Sequence, residues 1–261
     1  MKPKVLMVND DGINAPGLKH LFHSLKDKVD LTVVAPLHEK SGAGLSMTLT
    51  KPLRILKKRF EGSEAFTVNG TPADCVKLAL TSLYETPPDL IVSGINRGSN
   101  AGRNVLYSGT IGGVIEGVYR NSIQGIAFSS CEYENTSYEA LQKYVYPIIQ
   151  HVLEHPLPTG TFLNVNFPRH SETPVKGLRF AKQGRSFWTD NPDKRSHPEG
   201  DHYYWLGGKW RDHDEEPESD VHLLGQGYIS AVPIHVNELT DHNHFEKHKT
   251  VFEDYFDEYS F

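Results

Sequence analysis

Two adjacent carboxylates, Asp10 and Asp11, follow the first apolar run of the chain, Val5 to Val8, in the segment Asn9-Asp10-Asp11-Gly12. Like charges side by side at a strand end repel, and a cation relieves that cost. Two further loops offer neutral oxygen donors, Ser41 before Gly42 and Asn96 after Ser93-Gly94-Ile95. Asp10, Asp11, Ser41 and Asn96 together form an all-oxygen set, which suits a hard ion such as Mg²⁺, Mn²⁺ or Ca²⁺ rather than zinc or copper. A second feature is the glycine- and asparagine-rich stretch Gly94 to Gly102, leading to Tyr107-Ser108-Gly109-Thr110 before the apolar residues Ile111, Val114, Ile115 and Val118. A helix starting there would present free backbone N–H groups and a positive dipole end to a phosphate, with Ser108 and Thr110 adding hydroxyls. A metal facing such a helix start is equipment for phosphate-ester hydrolysis, a reaction whose slow uncatalysed rate demands strong electrostatic stabilisation.

The elements that must position these groups can be read from hydrophobic spacing. Val5 to Val8, Leu31 to Ala35, Asp89 to Val92 and Ile126 to Ser129 read as buried strands. Leu18, Leu21, Phe22 and Leu25 after Pro16 have helical spacing, as do Val76, Leu80 and Leu83 after Thr71-Pro72. Thr136-Ser137-Tyr138-Glu139 has the form of a capping box opening a helix with Leu141, Val145, Ile148, Ile149 and Val152 inward. Such alternation predicts an α/β fold, a mostly parallel sheet with helices on both faces. Ligands of such sheets bind beyond the carboxyl ends of the strands, where the three polar loops would converge. Leu49 to Leu56 and Ala65 to Val68 read as an inserted hairpin. The last third is strand-rich, with Phe162 to Phe167, Leu178 to Ala181, His202 to Leu206 and Tyr228 to Pro233 as strands. Thr189 to Gly200 and the acidic run Asp212 to Asp220 read as exposed arms or loops.

Bulk properties narrow the function classes. The chain has 261 residues, 38% hydrophobic and 23% charged, as in globular proteins. A net charge of -6 argues against a nucleic acid duplex as partner. No apolar run reaches the ~20 residues of a membrane helix, and none resembles a signal peptide, so no membrane role and a cytoplasmic location are expected. Cys75 and Cys131 read as small buried hydrophobes. Asn135-Thr136-Ser137 matches a glycosylation acceptor, which carries no weight without secretion.

The motifs resemble, in order, those of the SurE family of survival proteins. They are Asn9 to Gly17, Val34-Ala35-Pro36, Ser41 to Gly44, Asn69 to Val76, Ser93 to Asn100, Tyr107 to Thr110 and the late strand Tyr228 to Ile234. The resemblance runs from about residue 4 to 235. It implies a Rossmann-like catalytic core over residues 1–180. Residues 181–261 would form a β-rich arm for oligomerisation, returning a strand (228–234) to the core. It further implies a 5'/3'-nucleotidase acting on nucleoside monophosphates, with one Mg²⁺ or Mn²⁺ per subunit on Asp10, Asp11, Ser41 and Asn96. Phosphate contacts would fall on Asn96, Asn100, Ser108, Gly109 and Thr110, with Asp10, Asp11 and Asn96 catalytic. A homodimer or homotetramer built through C-terminal arms is also implied. One departure stands out: the family often has an acid where this chain has Asn104.

Three other readings compete. An aspartyl-phosphate mechanism needs Asp-x-Asp after the first strand, but Asn9 stands two before Asp11 and an amide is no such nucleophile. Dinucleotide binding lacks G-x-G-x-x-G after the first strand. A metal- or nucleotide-binding sensor with little turnover is the alternative that Asn104 leaves room for. His235, His242, His244 and His248 fit no standard zinc spacing and read as a solvated surface. The tail from Phe245 reads as a short helix against a neighbour. Trp188, Trp205 and Trp210 are expected at a subunit contact more than under a base.

Overall fold

The computed structural model describes residues 2–134, 137–171 and 174–258. The first strand, β1 (Lys4–Val8), alternates its side chains between two faces. Val5 and Met7 join one core with helix α1 (Pro16–Leu25), while Leu6 and Val8 point into a second. The chain continues through β2 (Asp30–Pro36), β3 (Ile55–Phe60), β4 (Ser63–Val68), α2 (Pro72–Ser82) and β5 (Leu90–Arg97). A 3-10 turn over Gly102–Tyr107 then leads into α3 (Gly109–Asn121), β6 (Gln124–Ser130), α4 (Tyr138–Glu154) and β7 (Thr161–Phe167). The apolar stripe of α4 (Leu141, Val145, Ile149, Val152) joins α1 on the first face. On the other face Cys75, Val76 and Ala79 of α2 are buried, as are Ile111, Val114 and Val118 of α3. Helices thus cover both faces of an α/β sheet, as the sequence pattern requires.

Strands β8 (Leu178–Phe180), β9 (Phe187–Asp190), β10 (Asp193–Ser196), β11 (His202–Trp205) and β12 (Gly208–Arg211) are followed by α5 (Asp220–Gly225), β13 (Ile229–His235) and α6 (His242–Asp257). The nine-stranded sheet has the order β3-β4-β2-β1-β5-β6-β7-β13-β8. It is parallel from β4 to β7, with antiparallel pairs β3–β4 and β7–β13. From β1 the chain builds outward through β2 on one side and through β5 on the other. The crevice beyond β1 and β5 is therefore a topological switch point, where open α/β sheets bind ligands.

Several expectations shift. The inserted hairpin lies at 55–60 and 63–68, turning at Glu61-Gly62 with positive φ at both. Lys57, Lys58 and Arg59 conceal it in the sequence, because an edge strand tolerates outward charge. β5 runs past Val92 to Arg97, with a register shift between Ser93 and Asn96 against β6. The region read as an exposed arm is one long hairpin, with β9 paired to β12 at its root and β10 to β11 at its tip. The acidic run is not wholly solvated. Asp220 is buried, and Glu215 accepts hydrogen bonds from the Arg185 and Ser186 N–H groups and the Ser186 hydroxyl. The capping box and the glycosylation match include residues 135 and 136, outside those described. The N-cap of α4 is Ser137, without a side-chain cap bond.

Candidate active site

The turn after β1 is built by its own side chains. Asn9 is buried and donates from Nδ2 to the Gly12 carbonyl at 3.0 Å. Gly12 has φ +94, a conformation that glycine takes without strain. This turn directs Asp10 inward, where it is 3% exposed, and leaves Asp11 more open. The Lys40 N–H donates to the Asp10 carbonyl at 2.7 Å, tying the segment after β2 to the end of β1. The Arg97 N–H donates to Asp11 Oδ2 at 3.3 Å, bringing in the end of β5.

Helix α3 meets this turn end-on. Thr110 is fully buried, and its hydroxyl donates to Asp10 Oδ1 at 2.5 Å. Gly109 packs so closely that a Cβ there would lie 2.8 Å from the Asp10 Cβ. Ser108 caps the helix by accepting the Ile111 N–H at 3.2 Å. The first turn of α3 is therefore applied to the Asp10 carboxylate itself. Burial pushes Asp10 up to about 6, the Thr110 hydrogen bond pulls it down, and Asp11 pushes it up. Asp11 is raised as well, by burial chiefly, against the Arg97 N–H.

Ser41, Asn96, Asn100 and Ser108 line the same cleft as both aspartates, a space of about 1130 Å³. The Ser41 hydroxyl donates to Glu39 at 2.7 Å, which leaves its lone pairs open. Asn96 turns its Nδ2 to the Gly98 carbonyl at 2.8 Å. Asn100 is anchored below the cleft, with Nδ2 donating to Ser129 and its N–H to Asn166, both at 2.8 Å. Gly109 and Thr110 stand behind Asp10 rather than on the lining. Asn104 is on the lining, and its Nδ2 is buried without a hydrogen-bond partner.

Other residues of the site carry weaker sequence signals. Asp74 forms a reciprocal capping box with Thr71, which its i, i+3 spacing announces. It also accepts the Thr48 N–H at 3.1 Å, and the Thr71 hydroxyl donates to the Ser46 carbonyl at 2.6 Å. These bonds hold the segment that follows Ser41. Arg97 lays its guanidinium over the Tyr133 ring, 4.8 Å from the centroid. Trp188 and Trp210 also line the cleft, while Trp205 lies outside it. Cys75 is buried as expected, but Cys131 is half-buried in the cleft wall. Burial pushes the Cys131 thiol up to about 11, which makes it a poor nucleophile at neutral pH.

Among the described residues no three His, Cys, Asp or Glu side chains cluster as a metal site. The cleft instead offers the carboxylates of Asp10, Asp11 and Glu39 with neutral oxygens. The tail histidines His242, His244 and His248 are solvent-exposed on α6, as read from the sequence. No helix among the described residues is long and apolar enough to cross a membrane.

The family model for survival protein SurE matches residues 5–190. A 5'-nucleotidase SurE of Protochlamydia amoebophila is 48% identical over 255 residues, 97% of each chain. The namesake of Moorella thermoacetica is 42% identical, covering 92% of both chains. The crystal structure of the SurE protein from Aquifex aeolicus superposes with a TM-score of 0.82 at 36% identity, covering 95% of this chain and 99% of that one. The switch-point cleft is thus set in a fold and a sequence shared over most of the chain with these proteins, and the chain belongs to the SurE family of survival proteins.

Proposed function

We propose that the chain is a nucleotidase that hydrolyses nucleoside 5'-monophosphates, and 3'-monophosphates as well, in the cleft beyond β1 and β5. The observation that carries this reading is the pair of neighbouring, partly or wholly buried carboxylates, with Asp10 pushed up to about 6 by burial. Arg97 offers Asp11 some counter-charge, but the side chain on the buried Asp10 carboxylate is the neutral Thr110 hydroxyl, and such a pair fits a cation. Asp10, Asp11, Ser41 and Asn96 are the residues that would hold it, and their oxygens fit a hard ion. When bound, a divalent ion such as Mg²⁺ or Mn²⁺, one per subunit, neutralises the carboxylates and polarises the phosphoryl oxygens.

The chain's own groups do the rest. Thr110 and the Lys40 N–H fix Asp10, and the Arg97 N–H fixes Asp11. Asn96, Asn100, Asn104 and Ser108 line the cleft where the phosphate would sit. A water oriented by Asp10 or Asp11 attacks phosphorus. The ester P–O bond breaks, and the nucleoside leaves with a proton on its oxygen.

The β10–β11 tip of the hairpin and α6, on which no residue is buried, serve in this reading as contacts of a homodimer or homotetramer. The catalytic core then spans 1–180, and the arm 181–261 returns one strand to it. Two unbridged cysteines agree with a cytoplasmic location.

The test is phosphate release from a panel of 5'- and 3'-nucleoside monophosphates with Mg²⁺, Mn²⁺ or chelator, with the mass of the particle in solution as a check on assembly. Metal-dependent release that drops by orders of magnitude in Asp11→Asn is expected. Near wild-type turnover in that variant, or with chelator, would remove the assignment.

A further inference from the structure

We propose that Trp188 is the stacking surface for the nucleobase, so that the arm hairpin carries the substrate's base while the β1 and β5 loops carry its phosphate. The inference rests on the nucleotidase reading of the cleft and deepens it. A cleft of about 1130 Å³ is far larger than a phosphate group needs, so most of it must serve another part of the ligand. Trp188 lines that space and is 59% exposed. A tryptophan so open in the wall of a cleft is an unspent apolar surface.

Its placement is built rather than incidental. Trp210 stands directly across the ladder, with ring centroids 5.8 Å apart at 72°. The Trp210 Nε1 donates to Asp212, which fixes the supporting ring. Two residues before Trp188, Ser186 is fully buried. Its carbonyl accepts the Arg103 N–H at 2.9 Å, and a Cβ on Gly102 would lie 2.2 Å from that oxygen. Its hydroxyl donates to Glu215 at 2.6 Å. The hairpin root is thereby bolted to the segment that leads into Ser108. An indole at that root keeps a set relation to the phosphate end of the cleft. Stacking uses the π face that every base presents, so the surface would accept all four bases and favour the larger purines.

The experiment compares adenosine 5'-monophosphate with ribose 5-phosphate, the same ester without its base. In Trp188→Ala the preference in kcat/KM for the nucleotide over the sugar phosphate should fall about tenfold, within the range that base stacking on an aromatic ring supplies. Trp188→Phe should keep most of the preference. Trp188→Leu, apolar but without a π face, should lose it, and this pair decides the matter should the alanine variant misfold by circular dichroism. A preference within twofold of wild type in both the Ala and Leu variants would overturn the inference. If the wild type hydrolyses neither ester, the nucleotidase reading fails separately. The stacking surface is then read from adenosine quenching of tryptophan fluorescence. Equal adenosine affinity in wild type and Trp188→Leu, measured by calorimetry, would overturn it.

Discussion

Thr110→Val isolates what the first turn of α3 does. Valine matches threonine in shape, and the site is fully buried, so packing is conserved while the hydroxyl is lost. That hydroxyl donates to Asp10 Oδ1, a charge-assisted bond worth roughly 1.5–3 kcal/mol. It pulls the Asp10 pKa down against burial and Asp11. Loss of ~2 kcal/mol should raise the Asp10 value by about 1.5 pH units above its present level of about 6. A proton then competes with the metal at neutral pH. Mn²⁺ affinity should fall 10- to 100-fold at pH 7, the range found when a partner behind a metal ligand is removed. Titration calorimetry on the folded variant measures this directly. Part of the deficit should return at pH 8.5, because proton competition fades there. If Thr110 instead serves the phosphate, Mn²⁺ affinity will stay within twofold of wild type while product inhibition by phosphate weakens. That result would break the link between Thr110 and the metal.

The same two aspartates set two pH dependences, and Asp220 supplies a third expectation. Asp10 holds its proton up to about 6 in the fold, against an ordinary 3.8, and Asp11 is raised too. Metal takes the ionised forms, so Mn²⁺ affinity should drop about tenfold per pH unit below about 6. The metal-free fold has the opposite sign. It binds this proton more tightly than the unfolded chain, so its stability should decline as pH rises from about 4 to about 6. Metal affinity that stays flat from pH 5 to pH 7 contradicts both. Asp220 is buried and accepts from the N–H groups of Gly102, Gly184 and Val221 and from Gln183 Nε2, at 2.8–3.0 Å. Asp220→Ala strands those donors, and urea unfolding should show a loss of about 3 kcal/mol. Turnover should fall as well, since Gly102 opens the turn that leads into Ser108. Unchanged stability would mean that water replaces the carboxylate.

The parts legible in the sequence are those in which chemistry and periodicity coincide. The Val5 to Val8 run followed by Asn9-Asp10-Asp11-Gly12 carries both a buried strand and a charge pair that burial makes costly. The late strand near 228–234 was likewise readable, and β13 does return to the sheet beside β7. What stayed hidden depends on partners distant in sequence. Asp220 sits in an acidic run and reads as solvated, because the donors that bury it come from residues 102, 183 and 184. Lys57-Lys58-Arg59 conceals an edge strand because the middle of that strand is exposed on both faces and only Phe60 at its end is buried. The β9–β12 pairing spans some twenty polar and aromatic residues with little apolar alternation to mark it.

The α3 start shows the same limit within the site. Ser108-Gly109-Thr110 before an apolar helical stripe announces an anion, and one is there. The anion is the Asp10 carboxylate of the chain itself, met by the Thr110 hydroxyl and packed against Gly109. A helix N-terminus selects for negative charge without saying whose. Had it faced only the phosphate, Asp10 would have kept burial and Asp11 as its main influences, both of which raise its pKa. With Thr110 directed at Asp10, the helix lets the carboxylate stay ionised nearer neutral pH, where a metal can take it. In the proposed function the phosphate falls to side chains that line the cleft, Asn96, Asn100, Asn104 and Ser108. This division of labour makes Thr110→Val and changes at Asn104 separable: the first should act on metal affinity, the second on substrate.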